Sequence, residues 1–204
     1  GKEWYTTKAA IKPYSCCAGQ YGMLDVIYKL KMKHNLKPGD IESIKLWVSS
    51  RNLWMVGTIK GEDVKDIFGA QFSAKFGVGL ALVVGDNRIK AYHHNTPSYG
   101  RWAEVVEVAK KVDIIHDKEI PERGPIFGYA KCEIQLKDGR SLKGESNSPK
   151  GFPGNPMTRE ERLDKFYSQV LMVQTKEKAG KVVELVENME ELDNVCPIVE
   201  LMVR

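Results

Sequence analysis

A cation, a phenol and two thiols stand close together in residues 11–20, whose sequence is IKPYSCCAGQ. Lys12 supplies an ammonium group and Tyr14 a hydroxyl group, and the segment runs into an apolar stretch with helical spacing. The main-chain amides that open a helix near Cys17 and Gln20 would form a partly positive end, which attracts carboxylates and phosphates. The pattern therefore indicates a pocket for a carboxylate. The alternative is an ordinary loop before a helix, with both cysteines as small buried residues.

The histidines are weaker candidates for chemistry. His93 and His94 are adjacent in the sequence, and adjacent side chains diverge on a strand or a helix, so such a pair rarely binds one metal ion. An exposed loop pair is the favoured interpretation. His116, before Asp117, could act as a base with a tuned pKa, but a surface position at a strand end explains it more simply. His34 at a helix end suits the helix dipole and needs no other role.

The cysteines show no metal-binding spacing, and the sequence predicts no metal site. Cys16 and Cys17 are adjacent, whereas Cys132 and Cys196 stand alone, without a Cys-x-x-Cys pair or a nearby pair of histidines. We expect reduced thiols. Cys17 could become a reactive thiolate beside Lys12 and a helix start, but no obvious base accompanies it, and buried packing is the favoured interpretation.

Length and composition predict a soluble globular protein. The chain has 204 residues, of which 28% are charged and 42% hydrophobic, enough to bury a core. Its net charge of +4 is mild and its basic residues are scattered among acids, so nucleic-acid binding has little support. No apolar run approaches the roughly 20 residues that cross a bilayer, and no signal peptide is present. The expectation is a cytoplasmic protein that binds no membrane.

The elements that must position segment 11–20 follow it directly. Apolar residues recur at helical spacing over 23–30, and the sequence KPGD at 37–40 stops that helix. Residues 41–50 alternate as a strand does. The longest apolar stretch with helical period, 62–84, predicts a central buried helix whose glycines permit close packing.

The clearest local prediction is a β-hairpin over 129–146, because an Asp-Gly turn separates two alternating segments. A helix over 102–112 and a strand over 113–116 precede it. Residues 148–156, rich in Pro, Gly and Ser, predict a linker. The sequence TREE at 158–161 is a capping box that starts a further helix.

A last helix is predicted over 177–189, where acidic residues alternate with apolar ones. Together these elements predict an α+β fold class, with a small mixed α/β domain followed by a C-terminal helical tail. The predicted boundaries are a connector over 1–12, the α+β domain over 13–150, and the linker with the C-terminal helices over 151–204.

Ordered motifs along the chain resemble the second domain of the MmgE/PrpD family. Residues 12–25 resemble the family's Lys-Pro-Tyr-Pro-x-Cys segment and the helix after it, and GAQFS at 69–73 resembles its Ala-Gln-Phe-Ser helix. Order and approximate spacing agree over most of the chain. The remaining matches are DGR at 138–140, PKG at 149–151, NPMTREE at 155–161 and KF at 165–166.

The resemblance implies a fold and a function. The family includes 2-methylcitrate dehydratase, cis-aconitate decarboxylase and iminodisuccinate epimerase, which make or break a C–H bond beside a carboxylate without a metal or organic cofactor. The α+β domain is then a lid-type domain over a large helical domain that this sequence lacks, with 1–12 as the connector. The expectation is part of a cofactor-independent, methylcitrate dehydratase-like lyase or isomerase, inactive alone. Its partners are a small polycarboxylate substrate, the missing N-terminal helical domain and a second copy.

The resemblance also implies site residues. In the family the lysine of the Lys-Pro-Tyr segment lines the substrate pocket, so Lys12 is predicted as the catalytic residue, binding a carboxylate or shuttling a proton. Tyr14, Cys17 and Gln20 are predicted to bind substrate with it. The family's main acid/base histidines and aspartate lie in the helical domain and have no counterpart here.

Two departures leave the reaction open. Several family members have an arginine just after the cysteine and a histidine a few residues on, whereas this chain has Ala18 and Tyr21. Dehydration, decarboxylation and epimerisation therefore all remain possible, and the methylcitrate assignment is in doubt. Two other functions stay open: a non-catalytic dimerisation or ligand-binding domain of a diverged relative, and a thiol or redox enzyme that uses Cys16 and Cys17.

Overall fold

The structure is a computed structural model that describes residues 1–93, 99–122 and 128–202. Its contacts divide the chain into two compact units, the first ending at Met157 and the second beginning at Thr158. The first unit combines helices with one four-stranded sheet, and the second is helical. The predicted α+β class is therefore confirmed.

Over the described residues, the first unit has one α-helix before its first strand, five α-helices after that strand, and then three strands in succession. Its strands are β1 (Ile41–Val48), β2 (Val112–His116), β3 (Ala130–Leu136) and β4 (Ser141–Ser146). Its α-helices are α1 (Tyr21–His34), α2 (Ser50–Asn52), α3 (Ile67–Phe72), α4 (Ala74–Val83), α5 (Ile89–Tyr92) and α6 (Trp102–Ala109). Single turns of 3₁₀ or π-helix lie between them at Tyr5–Lys8, Ala18–Gln20, Pro38–Asp40, Leu53–Gly57, Gly61–Asp63 and Tyr99–Arg101.

The sheet is mixed, with the strand order β2-β1-β3-β4. The central strand β1 pairs with β2 in parallel and with β3 in antiparallel orientation. Ile44 and Leu46 on β1 face Ile134 and Cys132 on β3, and all four side chains are buried. Alternation with a period of two therefore gives one apolar face. The predicted strands at 41–50 and 113–116 and the predicted hairpin are confirmed.

Helix α1 covers this apolar face and joins the sheet to the helical layer. Its Val26 and Leu30 pack against Gly144 of β4, where an added Cβ would lie 3.0 Å from Val26. Farther along, the Lys31 ammonium donates to the carbonyls of Ala81 and Leu82 at 2.8 and 2.9 Å. These carbonyls end α4, and cations are favourable at that end of a helix. The first helix therefore fixes both the sheet and α4.

The single helix predicted over 62–84 is wrong in one respect, because it is broken at Ser73. This residue is extended (φ −94°, ψ 108°), and its Oγ accepts a hydrogen bond from the amide of Phe76 at 3.2 Å. The same hydroxyl donates to the carbonyl of Ile59 at 2.8 Å. Ser73 thus caps α4. Only α4 is the buried central helix, since Phe68 on α3 is 68% exposed.

The glycines of α4 permit close packing, as predicted. A Cβ on Gly79 would lie 2.5 Å from the carbonyl oxygen of Val105 on α6. A Cβ on Gly77 would lie 2.3 Å from Oε1 of Gln20. Both distances are too short for a real side chain, so α4 touches its neighbours through bare backbone.

Residues 148–156, predicted as a linker, are fixed to the first unit. The amide of Lys150 donates to Asp25 Oδ2 at 2.7 Å. The carbonyl of Gly151 accepts from the amide of Ile11 at 2.9 Å. Gly151 has φ +87°, and a Cβ there would lie 2.0 Å from the Ile11 oxygen, so both conformation and space require glycine.

The second unit contains α7 (Arg159–Val170), α8 (Lys176–Glu187) and α9 (Cys196–Met202), with a 3₁₀ turn at Met189–Glu191. The predicted capping box is confirmed, because Thr158 and Glu161 each accept the other's main-chain N–H. Helix α8 matches the predicted last helix, whereas α9 was not predicted. The apolar residues of the unit that are more than a third exposed are Leu171, Met172, Val173, Val186, Met189, Val195, Val199 and Met202. Within the described ranges, no helix is long and apolar enough to cross a membrane.

Candidate functional site

The segment singled out by the sequence forms one wall of a pocket of about 270 Å³. The opposite wall is the C-terminal end of α3. Lys12, Ser15, Cys16 and Cys17 line the first wall, and Gln71 and Phe72 line the second. The pocket therefore combines an ammonium, a hydroxyl, thiols, an amide and an aromatic ring.

Gln71 holds the main chain of the pocket segment in place. Its side-chain amide donates to the carbonyl of Ser15 at 2.6 Å, and its own carbonyl accepts from the amide of Cys17 at 3.0 Å. The amide of Ser15 donates in turn to the carbonyl of Asn87 at 2.8 Å. Backbone groups paired in this way keep a loop in one conformation. The wall of the pocket that segment 11–20 forms is therefore pre-organised.

Lys12 is exposed at the edge of the pocket. Its Nζ donates to the carbonyl of Cys16 at 3.4 Å, a long hydrogen bond to a neutral group. In the part of the chain that the structure describes, no carboxylate forms an ion pair with Lys12. The ammonium therefore keeps its charge available for an anionic ligand.

The two adjacent cysteines have different environments. Cys16 is 5% exposed, and burial raises the pKa of its thiol to about 12 from an ordinary 9.0. Its side chain is hydrogen-bonded to Tyr92. Cys17 is half-buried and contributes to the pocket wall. The structure thus brings Cys17 to Lys12, as the sequence predicts, while Cys16 belongs to the hydrophobic core.

Tyr14 points away from the pocket lining. Its hydroxyl donates to Asp25 Oδ1 at 2.7 Å, and burial together with this carboxylate raises its pKa far above 10.0. The ring stacks on Tyr28 with centroids 5.7 Å apart and meets Tyr21 edge-on at 5.5 Å. The side chain of Tyr14, which is predicted to bind substrate, therefore contacts the interior of the protein and does not line this pocket.

Gln20 also lies behind the pocket. It is fully buried, and its Nε2 donates to the carbonyl of Gln71 at 2.8 Å. Its Oε1 has no hydrogen-bond partner among the described residues and lies against Gly77. Gln20 is predicted to bind substrate, but here it supports the residue that lines the pocket.

Two of the helix-start amides, those of Cys17 and Gln20, are already paired within the chain. The amide of Cys17 donates to Gln71, and the amide of Gln20 donates to the carbonyl of Cys17 at 3.0 Å. Helix α1 begins only at Tyr21, whose hydroxyl donates to the carbonyl of Tyr14 at 3.1 Å. Tyr21 is 1% exposed. Tyr21 therefore has a structural role in this chain.

Sequence reasoning missed three lining residues, Ser15, Gln71 and Phe72. Gln71 and Phe72 lie within GAQFS, a motif that carries the family resemblance but was not predicted to line a pocket. That motif could have indicated them, because it ends α3 where the helix meets the pocket segment. Ser15 stands between two predicted residues and offered no signal of its own.

The histidines lie elsewhere. His116 ends β2, with Nε2 3.6 Å from Glu122 Oε1 on the surface, and His34 is exposed at the end of α1. His93 is half-buried, and His94 lies outside the described residues, so the pair as such cannot be placed. Among the residues that are described, no cluster of His, Cys, Asp and Glu could hold a metal ion.

A larger cavity of about 580 Å³ lies over the outer face of the sheet, around Trp47. Lys131 forms an ion pair with Asp117 at 2.9 Å, and Lys143 forms one with Glu133 at 3.5 Å. Glu145 adds a third carboxylate to the lining. The three carboxylates outnumber the two lysines, which disfavours an anionic ligand there. The smaller pocket, where Lys12 forms no ion pair within the described ranges, is therefore the better candidate site.

The buried thiols predict a loss of stability at alkaline pH. Burial raises the pKa of both Cys16 and Cys132 to about 12, so both stay protonated in the folded protein while the unfolded chain ionises above about pH 9. The unfolded state then binds fewer protons, and the free energy of unfolding falls as the pH rises. We expect urea unfolding to show this decline between pH 8.5 and 10.

Two variants test the origin of this decline. Cys132→Ala should make the fall with pH shallower, whereas Cys196→Ala should leave its slope unchanged because Cys196 is exposed. Equal slopes for wild type and Cys132→Ala would contradict the assignment. The slope is compared rather than the absolute stability, because removing a buried side chain also leaves a cavity.

The chain is similar to one known protein family and to several known proteins. The sequence profile of the MmgE/PrpD C-terminal domain matches residues 14–191. The chain is similar to cis-aconitate decarboxylase of Aspergillus terreus (strain NIH 2624 / FGSC A1156), with 23% identity over 207 residues, covering 99% of this chain and 42% of that protein. It is also similar to cis-aconitate decarboxylase of Mus musculus, with 25% identity over 138 residues, covering 65% of this chain and 26% of that protein. The chain thus spans less than half the length of these relatives.

Proposed function

Because this chain belongs to the MmgE/PrpD family, as its ordered motifs predict, we propose that it forms the C-terminal part of a cofactor-independent lyase or isomerase. Its substrate is a small di- or tricarboxylic acid. The observation that carries the proposal is the exposed ammonium of Lys12 at the edge of a pre-organised pocket. The similarity to two cis-aconitate decarboxylases supports a lyase and makes cis-aconitate a candidate substrate beside 2-methylcitrate.

The chemistry explains why a cation is needed. Removing a proton beside a carboxylate generates an enolate-like species, whose negative charge must be stabilised where it develops. Lys12 can hold a substrate carboxylate and stabilise that charge. Phe72 supplies an apolar wall that reduces the access of water, and Coulomb attraction is stronger where water is excluded. Ser15 and Cys17 offer further polar contacts at the same wall.

Among the described residues, the pocket lining of Lys12, Ser15, Cys16, Cys17, Gln71 and Phe72 includes neither a carboxylate nor a histidine. Carboxylates and histidines are the commonest general bases near neutral pH, so we propose that the base comes from another segment. We propose that a helical domain of the same protein provides it, in keeping with the 42% share of the Aspergillus terreus relative that this chain matches. The same domain would cover the exposed apolar residues of the second unit.

The choice among decarboxylation, dehydration and epimerisation is tested by proton exchange. The complete protein is incubated in D₂O with cis-aconitate and, separately, with 2-methylcitrate, and the C–H signals are followed by ¹H NMR. We expect deuterium incorporation or a new product with at least one of these acids, because all three reactions make or break a C–H bond beside a carboxylate. The isolated chain is expected to be inactive.

A second candidate function rests on Ala18 and Tyr21. If their replacement of an arginine and a histidine abolished catalysis, the protein would be a dimerisation or carboxylate-binding module. It would then self-associate in light scattering but convert neither acid. A complete protein that neither converts nor binds these acids in NMR titrations would overturn the enzyme proposal.

A thiol or redox enzyme is the least supported alternative. Cys16 is buried, and burial raises the pKa of its thiol to about 12, so it is a poor nucleophile near neutral pH. The half-buried Cys17 remains the only thiol that the pocket could use. Rapid alkylation of Cys17 at neutral pH would revive this alternative.

A further inference from the structure

Asp25 joins two loops that are far apart in the sequence. One carboxylate oxygen accepts the hydroxyl of Tyr14 at 2.7 Å, and the other accepts the amide of Lys150 at 2.7 Å. Asp25 itself lies in the second turn of α1, which packs on the sheet and on α4. Its carboxylate is therefore anchored to a helix that packs on both the sheet and α4.

This contact restrains the stretch of chain that carries Lys12. On the C-terminal side of Lys12, the Tyr14 ring is held between Tyr21 and Tyr28 and its hydroxyl is bound by Asp25. On the N-terminal side, the amide of Ile11 is bound to the carbonyl of Gly151 at 2.9 Å. Gly151 directly follows Lys150, the other residue that Asp25 holds.

We propose that Tyr14 and Asp25 form a positioning pair that sets where the ammonium of Lys12 stands at the pocket. The inference rests on the proposed function, in which Lys12 contacts the substrate. Lys12 itself has one long contact to a carbonyl, so its place depends on the backbone on either side of it. A charge stabilises a transition state only when it is held at the correct position. The PKG motif at 149–151 belongs to the same restraint, because the amide of Lys150 donates to Asp25 and the carbonyl of Gly151 accepts from the amide of Ile11.

The kinetic test uses the complete enzyme and three substitutions. Tyr14→Phe removes the hydroxyl, and Asp25→Asn keeps the shape but loses one acceptor. Tyr129→Phe is the matched control, because its hydroxyl also donates to a carboxylate, that of Glu145, at 2.8 Å, and neither residue lines the pocket. We expect the first two to lower kcat/KM about fivefold, the scale of one typical lost hydrogen bond, chiefly through kcat. Tyr129→Phe should leave kcat/KM unchanged.

A double substitution separates positioning from a general loss of structure. If Tyr14 acts through Lys12, adding Tyr14→Phe to Lys12→Ala should cause no further loss of kcat/KM. A multiplicative loss would show that Tyr14 acts independently and would overturn the inference. Should Asp25→Asn fail to fold, the pair Tyr14→Phe and Tyr129→Phe still decides the question.

A second readout does not need activity. Cys17 lies on the restrained wall, so its alkylation by iodoacetamide reports how firmly that wall is held, while the exposed Cys196 serves as an internal control. We expect Tyr14→Phe to raise the labelling rate of Cys17 about fivefold and to leave Cys196 unchanged. A wild-type protein without turnover would refute the proposed function but not this restraint. Cys17 labelling in Tyr14→Phe equal to that in Tyr129→Phe would refute the restraint.

Discussion

Replacing Lys12 with alanine is expected to lower kcat/KM of the complete enzyme at least about tenfold, which corresponds to about 1.4 kcal/mol of transition-state stabilisation. The substitution removes the cation that holds a substrate carboxylate in the proposed mechanism. It should not unfold the protein, because Lys12 is exposed and makes one long hydrogen bond to a carbonyl. Steady-state kinetics and thermal unfolding of the same preparation measure both effects.

The control is Lys8→Ala, which removes an exposed lysine shortly before Lys12 in the chain. Lys8 forms an ion pair with Glu3 and does not line the pocket. The Lys8→Ala enzyme should retain wild-type kinetics, which would show that the change in net charge alone does not cause the loss of activity in Lys12→Ala. Near-normal turnover in Lys12→Ala would remove Lys12 from the mechanism, and equal losses in both variants would point to a general electrostatic effect.

The largest effect on stability is expected for Gly22→Ala. Gly22 lies in the first turn of α1, and a Cβ there would be 1.5 Å from the carbonyl oxygen of Gly128. Backbone cannot yield as a flexible side chain can, so the loop and the helix must separate. We expect the free energy of unfolding to fall by about 3 kcal/mol or more, at the upper end of what overpacking costs. Chemical denaturation of the purified chain measures it.

Gly39→Ala is the matched control for this prediction. Gly39 lies in the 3₁₀ turn Pro38–Asp40 of the same unit, and an added Cβ would meet nothing within 4 Å. It should change the midpoint of unfolding little. If Gly22→Ala and Gly39→Ala had equal midpoints, the close approach between α1 and Gly128 would be refuted.

Local signals were sufficient for much of the first unit. The hairpin of β3 and β4 follows from an Asp-Gly turn in which Gly139 has φ +90°, a conformation that glycine adopts without cost. Helix α1 and strand β1 follow from periods of 3.6 and 2 in their apolar residues. The capping box at Thr158 needs only residues three apart. In each case, the sequence signal that predicts the element lies within the element.

The break at Ser73 depends on distant contacts, and this is why it was missed. The apolar period continues through GAQFS without interruption, so periodicity favours one helix. The hydroxyl of Ser73 stops it by capping α4 and donating to Ile59, fourteen residues earlier. A serine inside a helical pattern becomes a cap only when the fold supplies such a partner.

The candidate site likewise contains residues whose positions local sequence indicated and residues whose positions depend on distant contacts. Residue types near Lys12 indicated a pocket, and Lys12 and Cys17, which are close in sequence, both line the candidate pocket. Those residue types could not indicate the directions of Tyr14 and Gln20, which depend on Asp25 and Gln71. Composition also favoured a linker at 148–156, but Asp25 and Ile11 hold two of its residues.

The hydrogen bond between Ile11 and Gly151 has an architectural consequence. It places side by side a residue near the beginning and a residue near the end of the first compact unit, Gly1–Met157. A domain with such a narrow stem can be carried as an insertion within a host protein, since the host chain is interrupted at a single place. The same stem can serve as a hinge about which the whole domain turns without its ends being pulled apart.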